Sequence, residues 1–240
     1  MATFLLIHGS WAGAWCWREL TSRLLDLGHF VSAIDLPGHG NDARAPDSVT
    51  MADYVEAVLA STKSLPSPPI LAGHSLGGVV ASQVAEACPE NIRALVCLAS
   101  IQPPPGASMM QAVASFDPAY LESLIWAPDG KTAGITGTGV RRFLCNRCSD
   151  ALAAEILLRI GPEPVAPFST PIPTTAERYG RVPRFDVFGS DDRLIPSEVQ
   201  ARIGRGCPPD RVRTIEADHM SFFSNPAALA SSLDQAAKHS

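Results

Sequence analysis

Ile70-Leu71-Ala72-Gly73-His74-Ser75-Leu76-Gly77-Gly78-Val79-Val80 passes without a break from an apolar, strand-like run into an apolar, helix-like stretch that continues to Cys88. Gly73 to Gly77 fit the pattern Gly-x-Ser-x-Gly, and their placement carries more than the letters. A chain bent sharply from strand to helix lifts the serine hydroxyl clear of the backbone, and the glycines remove side chains that would clash in so tight a turn. The helix N-terminus behind such a serine offers backbone N–H groups to a developing oxyanion.

Working outward, the other apolar runs fall at 3–7, 30–35, 92–98, 184–189 and 210–215. Most are continuous instead of alternating, as parallel strands covered on both faces require. Helical patterns fill the gaps at Trp15 to Leu27, at Met51 to Thr62 behind the cap residue Thr50, and after Asn225-Pro226. Strand and helix alternating in this way predict an α/β fold built on a doubly wound, mostly six-stranded parallel sheet. Residues 102–183 break the rhythm. They are too long for a crossover, contain Pro103-Pro104-Pro105, and hold two helix-like pieces near 108–125 and 149–160. We expect residues 1–101 and 184–240 to form the core, and 102–183 to form a helical cap or lid inserted after the fourth strand.

Composition narrows the function classes. With 46% hydrophobic and 18% charged residues, the 240-residue chain has the make-up of a buried globular core and not of a disordered one. A net charge of −5 without a Lys/Arg cluster argues against a nucleic-acid partner. No apolar stretch approaches the ~18 residues of a membrane span. Met1 to Ile7 lack a basic region and read as a buried strand instead of a secretory signal, so a cytoplasmic location is expected. Six cysteines without an export signal are expected to be reduced thiols. Cys145-Asn146-Arg147-Cys148 has the spacing of a metal or redox pair, but there is no second pair and no histidine at ligand spacing. No metal and no cofactor is expected.

A serine hydroxyl needs an imidazole to take its proton and an acid to orient that imidazole. Of six histidines, His219 follows the last strand and precedes the last helix, at the edge where it can reach Ser75. His8 belongs to the first turn, His39 to a glycine-flanked loop, and His74 to the variable place of the elbow; His29 opens a strand and His239 lies in the tail. Asp191 and Asp192 both follow the fifth strand, completing the order Ser, Asp, His. Asp35 and Asp218 are the remaining carboxylates near strand ends, Asp218 too close to His219 in sequence to orient its ring easily.

Phe4-Leu5-Leu6-Ile7-His8-Gly9-Ser10-Trp11-Ala12-Gly13-Ala14-Trp15-Cys16-Trp17, the elbow at Gly73 to Gly78, Asp191 to Pro196 and Asp218-His219-Met220 together resemble the plant methyl esterase and hydroxynitrile lyase branch of the α/β-hydrolase fold. The resemblance spans nearly the whole chain and is weakest over 102–183. It implies a sheet order 2-1-3-4-5-6 along the six strands, with ligands bound where the order reverses. It further implies Asp192 as the acid, with Asp191 left open by register, and the backbone N–H groups of Ser10 and Leu76 as the oxyanion donors.

That branch hosts two chemistries. Its lyases carry a threonine at the place of Gly9 and a lysine at the place of Met220, and neither is present here. Gly9 is expected to leave room for a tetrahedral intermediate, and Met220 to offer soft apolar surface. Both departures favour a serine carboxylesterase acting on small apolar or aromatic esters through Ser75, His219 and Asp192, with Gly9, Trp126 and Met220 against the substrate. Lyase or other carbonyl chemistry, and a ligand receptor with little turnover, are the competing readings. The expected partner is a small-molecule ester, with no membrane and no nucleic acid; a homodimer is left open.

Overall fold

The computed structural model describes residues 1–114 and 116–240. In chain order the core opens with β1 (Thr3–Ile7), a 3-10 turn (Ala14–Trp17), α1 (Arg18–Asp26), β2 (Phe30–Ile34), α2 (Met51–Thr62), β3 (Ile70–His74), α3 (Leu76–Ala87) and β4 (Ala94–Leu98). Segment 102–183 follows with α4 (Met109–Val113), α5 (Pro118–Leu121), β5 (Leu124–Trp126), β6 (Thr132–Ile135), α6 (Gly137–Gly139) running into a π turn (Val140–Leu144), α7 (Asp150–Arg159), β7 (Glu163–Pro164) and α8 (Val165–Ser169). The core resumes with β8 (Arg184–Gly189), α9 (Ser197–Gly204), β9 (Val212–Ile215), α10 (Ser221–Ser224) and α11 (Pro226–Lys238).

Six parallel strands pair in the order β2-β1-β3-β4-β8-β9 among the described residues, the order expected. Phe4, Leu5, Leu6 and Ile7 are fully buried, as are Ile70, Leu71 and Ala72, because helices cover both faces of the sheet. That double burial explains why these strands read as unbroken apolar runs. Thr50 caps α2 from a capping box with Asp53, and Asn225 caps α11 through Ala228 N–H.

The elbow closes by backbone contact. A Cβ on Gly77 would sit 2.4 Å from the carbonyl oxygens of Ile7 and His8, and one on Gly73 would sit 2.3 Å from the Gly77 oxygen. α3 therefore presses directly against the ends of β1 and β3, with no side chain between them.

Segment 102–183 differs from the two helices expected. The stretch 108–125 holds two short helices instead of one: α4 ends at Val113, and α5 opens at Pro118 behind its cap Asp117. Ser115, inside that stretch, lies outside the described residues. β5, β6 and β7 form a small antiparallel sheet that the sequence reading did not anticipate. At two to four residues each, these strands are too short to show a period. The expected helix at 149–160 is α7, capped by Ser149.

Glu163 of β7 ties this segment to the core. Its carboxylate, 2% exposed, accepts hydrogen bonds from Trp11 N–H at 2.9 Å, His39 Nε2 at 3.0 Å and the Tyr54 hydroxyl at 3.2 Å. Burial alone would push the His39 ring down, but the Glu163 carboxylate, the hydrogen bond to it, the Pro37 carbonyl and Asp35 outweigh burial and hold it above the ordinary 6.5. His8, with its ring centroid 5.0 Å away, is pushed down to about 4 by burial and by His39. Of the two rings, His8 is thus held neutral, and positive charge is favoured on His39.

Two outcomes are expected. Gly77→Ala should lower unfolding stability by about 1–3 kcal/mol or more in urea titrations, because a backbone contact cannot rotate away. A raised His39 contributes stability that is complete below its unfolded value near 6.5 and is lost as pH rises through the folded value. Thermal midpoints followed by circular dichroism from about pH 6 to about pH 9 should therefore fall, and fall less steeply in His39→Gln.

Candidate active site

β3 ends at His74, and Ser75 then takes φ 50° and ψ −118° before α3 begins at Leu76. A non-glycine residue keeps that conformation only where its surroundings over-determine it. Here Ser75 N–H donates to the Leu98 carbonyl at 2.9 Å, while the Ser75 carbonyl accepts from Gly78 N–H at 3.0 Å and from the Ser100 hydroxyl at 2.7 Å. The side chain is left half-buried at the carboxyl edge of the sheet.

His219 and Asp192 come from two other loops at the same edge. The Asp192 side chain is fully buried; its Oδ2 bonds His219 Nδ1 at 2.9 Å, and its Oδ1 accepts from Leu194 N–H at 2.8 Å and Ile195 N–H at 2.9 Å. An ionised carboxylate only accepts, so Nδ1 carries the proton and Nε2 keeps its lone pair. Asp191 turns outward and pairs with Arg147. The neighbouring aspartate is thus the one that meets the imidazole.

Ser75, His219, Ser10 and Met220 line one cavity of about 20 Å³, walled by Ile101, Met109, Val113, Leu144, Leu194 and Ile195 among others. Leu76 is the first residue of α3, where backbone N–H groups have no intrahelical partner. A second cavity of about 230 Å³ adjoins the first through Trp11, Val113, Tyr120 and Phe168, and extends among Leu121, Leu124, Trp126 and Val165.

Two of the residues expected against substrate do not line the cavity at Ser75. Trp126 sits at the outer strand of the small sheet, 48% exposed, and lines only the second cavity. Gly9 does not line the cavity at Ser75. A Cβ there would meet His74 Nδ1 at 2.7 Å and Ser75 Cβ at 3.0 Å, so the space spared by the missing side chain is filled by the elbow itself and not kept for an intermediate.

Sequence reasoning missed three supports. His74 donates Nε2–H to the His219 carbonyl at 3.0 Å, and its ring centroid lies 4.7 Å from that of His219. Burial first, and then His219, hold the His74 ring well below the ordinary imidazole value, so it stays neutral. Asp218, fully buried, braces the loop instead of the imidazole: Oδ1 accepts from Met220 N–H at 3.1 Å and the Ser224 hydroxyl at 2.7 Å, and Oδ2 from Arg147 N–H at 2.9 Å. Burial raises its carboxyl above the ordinary range. Glu163 is the third. His74 and Asp218 were in view as the residues preceding the nucleophile and the imidazole, without these roles, whereas nothing local marked Glu163.

Cys145 and Cys148 are buried free thiols in the turn whose Arg147 pairs with Asp191 and Glu216. Among the described residues no group of three or more His, Cys, Asp or Glu side chains could hold a metal ion, and no helix is long and apolar enough to cross a membrane.

This architecture has known counterparts. The chain is 30% identical to Methylesterase 7 of Arabidopsis thaliana over 96% of this chain and 94% of that protein. It is 29% identical to polyneuridine aldehyde esterase of Rauvolfia serpentina over 96% of this chain and 93% of that one. A crystal structure of polyneuridine aldehyde esterase superposes with a TM-score of 0.85 at 26% identity, covering 98% of this chain and 99% of that one. The alpha/beta hydrolase family model matches residues 4–232. With that match over nearly its full length and a nucleophile-type elbow on a sheet of this order, the chain belongs to the alpha/beta hydrolase family.

Proposed function

We propose that the protein is a serine carboxylesterase that hydrolyses small esters with an apolar or aromatic acid arm, using Ser75, His219 and Asp192. The observation that carries this reading is the 2.9 Å bond from His219 Nδ1 to Asp192 in a cavity wall shared with Ser75 and Ser10. A receptor pocket has no use for a buried carboxylate that fixes an imidazole tautomer beside a strained serine. The names of the methylesterase and esterase relatives agree with the same chemistry.

Ser75 Oγ attacks the ester carbonyl and its proton passes to His219 Nε2. The oxygen that becomes negative is received by the N–H groups of Ser10 and Leu76. His219 then gives its proton to the departing alkoxide, and the alcohol leaves. Water, deprotonated by the same nitrogen, attacks the acyl-enzyme and releases the acid. Asp192 stays ionised and stabilises the imidazolium in both halves.

The cavity sizes suggest how an ester sits. About 20 Å³ at Ser75 holds little more than a water-sized group, which suits a methyl or similarly small alcohol. The adjoining 230 Å³ exceeds what a single benzene-sized ring requires and would receive the acid arm. In this reading segment 102–183 is the cap that supplies the second cavity, and Met220 shapes the first.

In quenched-flow assays a methyl ester of an aromatic acid should give a burst of one methanol per enzyme followed by steady turnover. Ser75→Ala should lose on the order of 10⁴-fold or more in kcat, and Asp192→Asn about 10⁴-fold. Full turnover by folded Ser75→Ala would falsify the mechanism. At a fixed aromatic acid, kcat/KM should decline from methyl through butyl esters.

A further inference from the structure

Trp11, the residue after Ser10, takes φ 63°, a left-handed conformation that a residue with a Cβ keeps only when its neighbours hold it. Among the described residues, the hydrogen bonds that hold it come from segment 102–183. Its N–H donates to Glu163 Oε2 at 2.9 Å, its carbonyl accepts from Gly161 N–H at 2.9 Å, and its indole Nε1–H donates to the Ala133 carbonyl at 2.9 Å. Trp11 is 5% exposed and forms part of the wall of both cavities.

Glu163 is the one ionisable group among these holders, and the Ser75–His219–Asp192 mechanism makes no use of it. A buried carboxylate is tolerated only when its oxygens are occupied. Here one oxygen serves Trp11 N–H and His39 Nε2, and the other serves the Tyr54 hydroxyl. Strand pairing of Glu163 with Ala133 already secures β7, so the side chain is not needed to hold the strand. What it supplies is an acceptor for the amide that follows Ser10, an amide that would otherwise be a buried donor without a partner.

We propose that Glu163, braced by His39 and Tyr54, is a positioning residue for the oxyanion pocket: through Trp11 N–H it fixes the backbone that presents the Ser10 N–H. The proposal rests on the ester-hydrolase reading of Ser75. Without the carboxylate, the Ser10–Trp11 peptide is free to relax from its left-handed turn, and the Ser10 N–H one peptide earlier loses its aim. Loss of a single oxyanion donor costs about 10²–10³-fold in kcat, so partial misalignment should cost somewhat less.

The test uses the full chain, a methyl ester of an aromatic acid and a trifluoromethyl ketone, whose adduct with Ser75 places an oxyanion where the intermediate would. Glu163→Ala should lower kcat by about 10–100-fold with KM within about twofold of wild type. It should weaken the ketone by a similar factor, yet leave affinity for the product acid within about twofold. Glu163→Gln, whose side-chain carbonyl still accepts from Trp11, should recover most of the loss. Wild-type kcat and ketone affinity in folded Glu163→Ala would overturn the proposal; so would a rise in KM with kcat unchanged, which marks a substrate contact instead. Should Glu163→Ala fail to fold, Glu163→Asp decides: it keeps the charge but withdraws the acceptor by one methylene. A loss of about tenfold or more in kcat at unchanged KM then supports positioning, and unchanged kcat refutes it. All of these comparisons need an active wild type that is silenced by Ser75→Ala, so failure of the hydrolase reading would be seen separately.

Discussion

At residue 75 the backbone reverses from strand to helix within one left-handed residue, and the neighbouring elements are arranged to allow it. Gly73, Gly77 and Gly78 carry no side chains because the Gly77 carbonyl, the carbonyls of β1 and the Ser100 hydroxyl already occupy those spaces. Gly9 obeys the same constraint from the other side, against His74 and Ser75. Stacking the start of α3 directly on the ends of β1 and β3 brings the loop after β1 and the helix N-terminus together.

A second layer of buried polar groups keeps that edge rigid. Asp192 receives two backbone N–H groups besides the imidazole, so its carboxylate has little freedom to turn away from His219. His74 holds the carbonyl of His219, and Asp218 holds the turn on either side of it. His8 donates to the Gly9 carbonyl and accepts from Leu36 N–H, which joins the loops after β1 and β2. In a low-dielectric interior each such bond is costly to leave unmade, which makes the arrangement specific as well as stable.

Segment 102–183 walls the cavity at this edge and also bonds to the loop beneath it. Its contacts to Trp11 connect the walls of the two cavities to the loop that carries Ser10. Cavity walls and the alignment of that loop thereby share residues, so changes in the segment are able to alter both.

Much of this was legible along the chain. Continuous apolar runs marked β1, β3 and β4, since strands buried on both faces need no polar alternation, and the glycines around Ser75 marked the elbow, since only glycine fits so close a backbone approach. His219 was identifiable from its place between the last strand and the last helix. The choice between Asp191 and Asp192 needed three dimensions, because adjacent residues in a turn point in opposite directions: one toward Arg147 in solvent, the other toward the imidazole. The small sheet and the seat of Trp126 were hidden by strands too short to have a period. Glu163 was hidden by distance, standing 152 residues from the amide it holds. Sequence by itself determined the local geometry, in which neighbouring residues impose strand, helix and turn. Only the tertiary structure decided the pairings among distant polar groups, because burial makes their hydrogen bonds obligatory and the folded chain alone determines which groups are buried together.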